Sequence, residues 1–401
     1  MKRVFHNITV WFRDLTAVFC NEWRIIVHDM GALIFFLALP LLYPVVYTLI
    51  YNTEVVDKVT VAIIDDCRSE MSRQFVRDAS AAPGIDVVGY AANLNEARRW
   101  MNEDKVYGIL RIPSDYASDI ETGQQATIEF YADMSLLLRY RALLAAVTDL
   151  QIKQTADITM NRVNMTGLET TGMAKMPIDS HHSFLGDPEQ GFASFVMPGI
   201  VILILQQSML LGISLIGGTS RERRMRNGGI DPEMIDSASA SASVWGKALC
   251  YFVLYIPRTM YVTTCIPEMF DLPHYGSPVQ YLPFMVPMLF ASAFLGQALL
   301  PLMKERESAF LIVVFTSVVV LFAAGLTWPR YAMNDFWTWF SNLVPATWGV
   351  EGFIRINSNA ATLAESARPF IAMWILTGVY FLCAWWALKW IRVRSLLKAK
   401  A

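Results

Sequence analysis

The sequence predicts a membrane α-helical fold, with six transmembrane helices and an inserted extracytoplasmic α/β domain made of a mixed sheet plus a long helix. Three observations point there. Hydrophobic residues make up 54% of the 401 and charged residues only 17%, with a mean hydropathy of +0.37, far from the composition of a soluble globular chain. Charge is also unevenly spread: six stretches of about 20 residues or more are almost bare of it, leaving the remainder at about 25%, the density of ordinary soluble protein. Much of that remainder lies between the first and second apolar stretches, where strand and helix signals alternate. A net charge of −2 and a pI near 6.2 lack the basic footprint of a nucleic-acid binder.

Residues 1–29 read as a cytoplasmic lead-in. Trp11, Leu15, Val18, Phe19 and Trp23 recur near helical spacing among Arg13, Asp14 and Arg24, which suits either a helix lying in the membrane interface or an ordinary amphipathic lead-in. The first span, 30–51, is kinked by Pro40 and Pro44; neighbouring helices can accommodate such kinks. With nearly thirty residues before it and no small-residue cleavage site after it, this span reads as an anchor rather than a signal peptide. Five further spans fall within 192–391, at 192–216, 244–270, 281–303, 309–328 and 369–391, followed by a basic tail, 392–401. Lys and Arg crowd the segments 1–29, 217–243, 304–306 and 389–400, whereas the short opposite segments carry only Arg330, Arg355 and Arg368. The positive-inside rule then places both termini in the cytoplasm and residues 52–191 outside.

Within 52–191, VTVAII (59–64), IDVVGY (85–90), VYGILRI (106–112) and ATIEFYA (126–132) read as strands. Helices are expected around Met71–Phe75–Val76, over 93–104, and over 113–122, the last with Pro113 in its first turn and Gly123 as its stop. Residues 135–163 form one long helical tract with Leu136, Tyr140, Leu143, Leu144, Val147 and Leu150 on one face, leading back toward the membrane. Such alternation implies a compact α/β domain.

Chemistry is sparse. Asp65, Asp66 and Asp133 sit at strand ends, where acids commonly cap turns. His181 and His182 have no third ligand at metal-binding spacing. The five cysteines form no CxxC pair, and no GxxxxGK[ST], GxSxG or HExxH occurs. The chain therefore reads as no enzyme, with no cofactor of its own.

Order and motifs together carry a resemblance. One span, an outer α/β domain and then five spans, with MPGIVILILQQ (197–207), the polar run SRERRMRN (220–227) and AAGLTWPRYAMNDFWTWFSNLVPATWGVEGF (323–353), is similar to the permease of a type-2 ABC exporter, in the subgroup with a large outer domain. VAIIDDCRSEMSRQFV and VYGILRIPSDYASDIETG resemble patterns of that outer domain. Two departures stand out: Gly218-Thr219 precedes the arginine cluster instead of following it, and Asn334 replaces a common proline.

The resemblance implies a dimeric permease moving a substrate out of the cytoplasm or the inner membrane of a bacterium. ATP and Mg would be held by a separate cytoplasmic ABC ATPase subunit. The other partners it implies are a second permease copy or paralogue, membrane lipid, a periplasmic adaptor and an outer-membrane duct. Arg221, Glu222, Arg223, Arg224 and Arg226, in the segment 217–243, are the expected ATPase-coupling residues; a plain positive-inside cluster is the alternative. Pro329, Trp337, Trp339 and Pro345 mark the signature after the fifth span, expected to form re-entrant or interfacial helices over 329–353. Arg258, costly at mid-span, and Gln206, Gln207 and Gln297 are pathway candidates, with structural hydrogen bonding, or an Arg258–Glu268 pair, as the alternative. The competing function is a non-transporting receptor or assembly platform whose outer domain binds a partner protein.

Overall fold

A computed structural model describes residues 2–51, 58–133, 137–165 and 191–400. Two compact units result, one comprising Met1–Glu54 with Phe184–Ala401 and the other Val55–Ser183.

The inserted unit is a four-stranded sheet of order β2-β1-β3-β4, with β1 Val59–Asp65, β2 Ile85–Tyr90, β3 Gly108–Ile112 and β4 Glu129–Ala132. The apolar run of β1 explains its central position. It pairs in parallel with β2 and β3, and Val61, Ala62, Ile63 and Ile64 are all buried, as a strand covered on both faces requires. Parallel neighbours need crossovers, supplied by α1 Glu70–Ala81 and α2 Leu94–Asn102. Ser69 and Asn93 cap these helices by accepting the amides of Ser72 and Glu96. A short helix, α3 Tyr116–Thr122, stops at Gly123, whose φ of 80° suits a residue without Cβ. The strand β4 returns antiparallel to β3.

Three sequence expectations shift here. The strands β3 and β4 begin at Gly108 and Glu129 rather than at 106 and 126. Pro113 lies before α3 rather than in its first turn, because the chain turns first and Asp115 takes the N-cap position. The long helix α4, Leu137–Met165, buries Leu143 and Leu150 in the core beneath β1 and β3, together with Val61, Ile63, Leu110 and Phe75. Leu144, expected on the same face, is exposed. Leu136 and His181-His182 lie outside the described residues.

In the other unit, six helices among the described residues are long and apolar enough to cross a membrane: Met30–Ile50, Phe192–Arg226, Ala240–Met269, Pro278–Leu302, Arg306–Ala323 and Ala367–Val393. A 27-residue helix, Lys2–His28, precedes them. The second span is the hub, its side chains mostly buried, whereas the first, fifth and sixth leave Leu42, Phe315 and Leu382 exposed. Prolines leave their mark: a π-helical turn at Ile34–Ala38 precedes Pro40, and another at Tyr261–Cys265 follows Pro257. The second helix continues ten residues past the expected span end at 216, through the arginine cluster to Arg226. Arg, Glu and Met sustain a helix, and the cations favour its C-terminal end. The fifth span ends at Ala323, short of the expected 328, and Gly325 (φ 88°) turns the chain. Two short helices follow, Asp335–Asn342 and Pro345–Asn359. Even the longer reaches only about 22 Å, less than the roughly 30 Å of a hydrocarbon core.

Leu143→Ala should destabilise the inserted unit by about 2–5 kcal/mol, while Leu144→Ala should change it by less than about 0.5 kcal/mol. Amide exchange in β1 and β3 of the two purified variants makes the comparison.

Candidate functional site

At one end of the helical unit, the N-terminal helix, the ends of the second, third, fifth and sixth spans and the loop between the second and third come together. Three polar clusters hold this junction.

The first forms because Lys247 and Tyr251, four apart, share a face of the third span. Against them lies Glu22, fully buried on the apolar face of the N-terminal helix among Leu15, Val18 and Ile26. The Lys247 Nζ is 3.0 Å from Glu22 Oε2, and the Tyr251 hydroxyl donates to Oε1. The same helix reaches the third span and the loop through Trp11, whose indole donates to the Ser241 hydroxyl (3.0 Å). Asn21 donates to the Glu233 carbonyl (2.7 Å), and Asp14 accepts the Ser239 amide (3.2 Å).

The second cluster ties the starts of the first and fifth spans to the second. The Arg306 guanidinium grips Asp29 with two bonds of 2.7 and 2.8 Å and donates to Thr219 Oγ1 (3.2 Å). The Arg306 backbone amide donates to Glu222 Oε1 (2.7 Å), so a carboxylate of one helix caps the N-terminus of another. This approach needs Gly218: a Cβ there would sit 2.8 Å from the Glu305 carbonyl oxygen and 2.9 Å from Arg306 Cα. The Gly218-Thr219 pair thus has a physical role ahead of the arginines. Burial alone would raise the Asp29 carboxyl pKa, but the bonds from Arg306 and from the Ala32 and Gly31 amides outweigh it and leave it below the usual carboxylate value.

The third cluster contains the predicted coupling residues. Arg223 pairs with Asp231 (3.2 Å) and Glu233 (2.5 Å), and Arg224 with Asp236 (2.7 Å). Asp231 is buried and also accepts from the Ser220 hydroxyl (2.6 Å). Arg392 donates to the Ala238 carbonyl (2.7 Å) and to Ser243 (2.9 Å). Of the polar segment 217–243, only about 227–239 is loop, because the third helix starts at Ala240 behind the Ser239 cap. Arg223 and Arg224 therefore face the loop and fasten it. Arg221 is half-buried, and Arg226 is exposed beside Met225 (55% exposed) and Ile230 (62% exposed).

The remaining candidates lie outside these three clusters. Gln206 accepts the Ala346 amide (2.6 Å) and the Ser292 hydroxyl (3.4 Å), tying the second span to the helix Pro345–Asn359 and to the fourth span. Gln297 donates to the Val244 carbonyl (3.3 Å). Gln207 is half-buried, and both its amide atoms lack a hydrogen-bond partner among the described residues. Arg258 is buried, donates to the Leu254 carbonyl one turn back rather than to Glu268, and lies 5.8 Å from the Tyr255 ring centroid. Pro329 precedes a turn in which Arg330 pairs with Glu351 (2.5 Å). Pro345 opens its helix, while Trp337 and Trp339 are exposed on the shorter one. Asn334 caps that shorter helix by accepting the Phe336 amide. In the inserted unit, Asp65 accepts from Ser72 (2.8 Å) and from the Arg68 amide (2.9 Å). Asp66 pairs with Arg111 (2.7 Å), and the Asp133 amide donates to the Tyr107 carbonyl (3.0 Å).

Sequence reasoning passed over Glu22, Asp29, Asp231, Asp236 and Arg306. For Glu22 a signal was present, an acid at helical spacing within an apolar stripe.

Six membrane-length helices among the described residues, an inserted α/β unit and a cross-braced helical junction define a multi-span membrane protein. The chain belongs to the ABC-2 family of transporter proteins, whose profile it matches over residues 30–386, and it is a membrane permease component. It is also 22% identical over 263 residues to ABC transporter G family member 20 of Dictyostelium discoideum, an alignment covering 63% of this chain and 34% of that protein. The chain thus spans about a third of the length of the curated relative it matches.

Two outcomes are expected for this junction. Lys247→Met should cost about 3–5 kcal/mol by stranding a buried carboxylate, and adding Glu22→Gln should recover part of that loss; unfolding of the single and double variants tests the coupling. Because the folded Asp29 pKa is depressed, its stabilising contribution is complete above the unfolded value near 3.9 and lost as pH falls through the lower folded one. The gap in unfolding midpoint between the wild type and Asp29→Asn should therefore close as pH is lowered from about 5 to 3.

Proposed function

We propose that this chain is the permease of an ABC exporter, working as a dimer with two cytoplasmic ATPase subunits that bind the ATP and Mg. In this reading both termini and the basic junction face the cytoplasm, as the Lys and Arg bias supports, and residues 52–191 lie outside, available to a periplasmic adaptor and outer duct. The membrane is the bacterial inner membrane.

The braced loop carries this reading. A permease must receive mechanical work through an element stiff enough not to absorb it. Arg223 and Arg224 stiffen the loop through Asp231, Glu233 and Asp236, leaving Met225, Arg226 and Ile230 outward. Exposed apolar side chains at the tip of a charged element suit a protein contact. We assign Arg226 to the contact and Arg223 and Arg224 to its support. Glu222 passes displacement to the fifth span, and Arg306 passes it to the first. Arg221 lines the cavity behind the loop.

Of the pathway candidates, Gln207 keeps an unused amide for substrate or for the second permease copy. The exposed Trp337 and Trp339 suit the outer interface of the membrane, where indoles concentrate.

The test is the chain co-expressed with its ATPase. Met225→Asp with Ile230→Asp should lower substrate-stimulated ATP hydrolysis at least about tenfold, the scale of a lost interface anchor, with normal membrane insertion. A cysteine replacing Asn227 should resist impermeant thiol reagents in intact cells. Unchanged stimulation would move the contact elsewhere, and labelling from outside would reverse the orientation.

A further inference from the structure

The sheet of the inserted unit ends on β2, which pairs with β1 alone. The N–H and C=O groups along its other edge therefore have no strand partner among the described residues, and such a row is a template for one more strand. Folded proteins guard exposed edges with lysine, with proline or by keeping the strand very short. This edge has none of these: Ile85–Tyr90 is six residues long and holds no basic residue and no proline. The other outer strand, β4, has only four residues. On β2, Val88 is 51% exposed and Tyr90 64% exposed, although valine and tyrosine are residues that strands pack against cross-strand neighbours. A register shift opposite Val61 and Ala62 gives β2 one extra residue, and the twist such a bulge adds restricts the edge to a short partner.

We propose that β2 of one copy pairs antiparallel with β2 of a second copy, joining two inserted units edge to edge in one continuous sheet. The inference rests on the dimer proposed above and names the surface on which its inserted units meet. Charge along the strand selects this occupant. Asp86 is the only charged residue of β2. Parallel pairing in register would set Asp86 against Asp86, a repulsive arrangement. Antiparallel pairing centred on Val87 or Val88 sends the two aspartates to opposite ends. Each then stands across from Val88 or Tyr90 of the second copy, and a tyrosine hydroxyl is a donor for a carboxylate. Val88 lies opposite or diagonal to its own equivalent, within about 8 Å. A two-fold pairing of this kind uses each β2 edge once and closes on itself instead of growing into a filament. An extended segment of an adaptor would use the same backbone groups, whereas the placement of Asp86 and Tyr90 needs no other chain.

The experiment uses the full chain in its own membranes, co-expressed with its ATPase and carrying Cys67→Ser. With Val88→Cys added, a short bismaleimide should give a covalent permease dimer. Gln124→Cys, exposed just before β4, should give no more dimer than the parent chain. Adding Tyr90→Asp to Val88→Cys should lower the dimer yield about fivefold or more, through two like-charge contacts related by the two-fold. Adding Asp86→Lys as well should restore much of it, because the new cation faces the new aspartate across the pair. A permease that is dimeric by native mass spectrometry, yet gives no Val88→Cys cross-link above the Gln124→Cys control, would overturn the edge pairing and leave the exporter reading standing. Cross-linking of Val88→Cys to a different protein would make that protein the occupant and overturn the second copy. A complex holding a single permease copy would sink the proposed dimer and this pairing with it.

Discussion

A charge at the edge of hydrocarbon must be paired or hydrated, and Arg306 meets that demand in a way the rest of the junction depends on. Its side chain takes Asp29, which itself caps the first span, while its backbone amide takes Glu222 from the second. One residue thereby fixes the starts of two spans against the continuation of a third. Gly218 permits the approach and Thr219 adds a bond to it. Around this node the loop is braced, and on the far side of the loop the N-terminal helix is pinned by Glu22 and Trp11. The second helix links this node to the opposite part of the bundle, since Gln206, about four turns back from Glu222, accepts the Ala346 amide.

The two units answer to different physics. In the inserted unit, burial drives assembly: β1 is apolar on both faces, and helices close over each side in two separate cores. In the membrane unit, apolar surface alone cannot choose among helix packings, because lipid is as apolar as leucine. Selection then falls to the few polar groups, Gln206 and Gln297 between spans and the ion pairs at the junction. Arg258 follows the same logic inside one helix, spending its donor on the Leu254 carbonyl.

What the sequence made legible follows from that division. Span positions were readable because hydropathy is local, and the central strand was readable because a β-branched run bounded by two aspartates has few alternatives. The side of α4 facing the sheet was only partly readable, since Leu143 and Leu144 are equally apolar and tertiary contact decides between them. The second helix runs on past the span end read at 216, because hydropathy marks where lipid stops, whereas backbone hydrogen bonding continues to Arg226. Most obscure were the pairings. Arg223 and Arg224 read as coupling residues or as a positive-inside cluster, and only the turn at Gly228 and Gly229, which brings Asp231 and Asp236 back, shows them paired with the loop. Glu22 with Lys247 joins residues too distant for any spacing rule.

That last pair also constrains how the chain is made. Glu22 leaves the ribosome long before its partners, with Tyr251 following 229 residues later. Until then the carboxylate has no cation waiting, and burying it alone would be prohibitive. The N-terminal helix must therefore remain at the wet surface while the first two spans and the whole inserted unit are synthesised, docking only when the third span arrives. Docking of this helix thus closes backward, from the third span onto a segment made long before it.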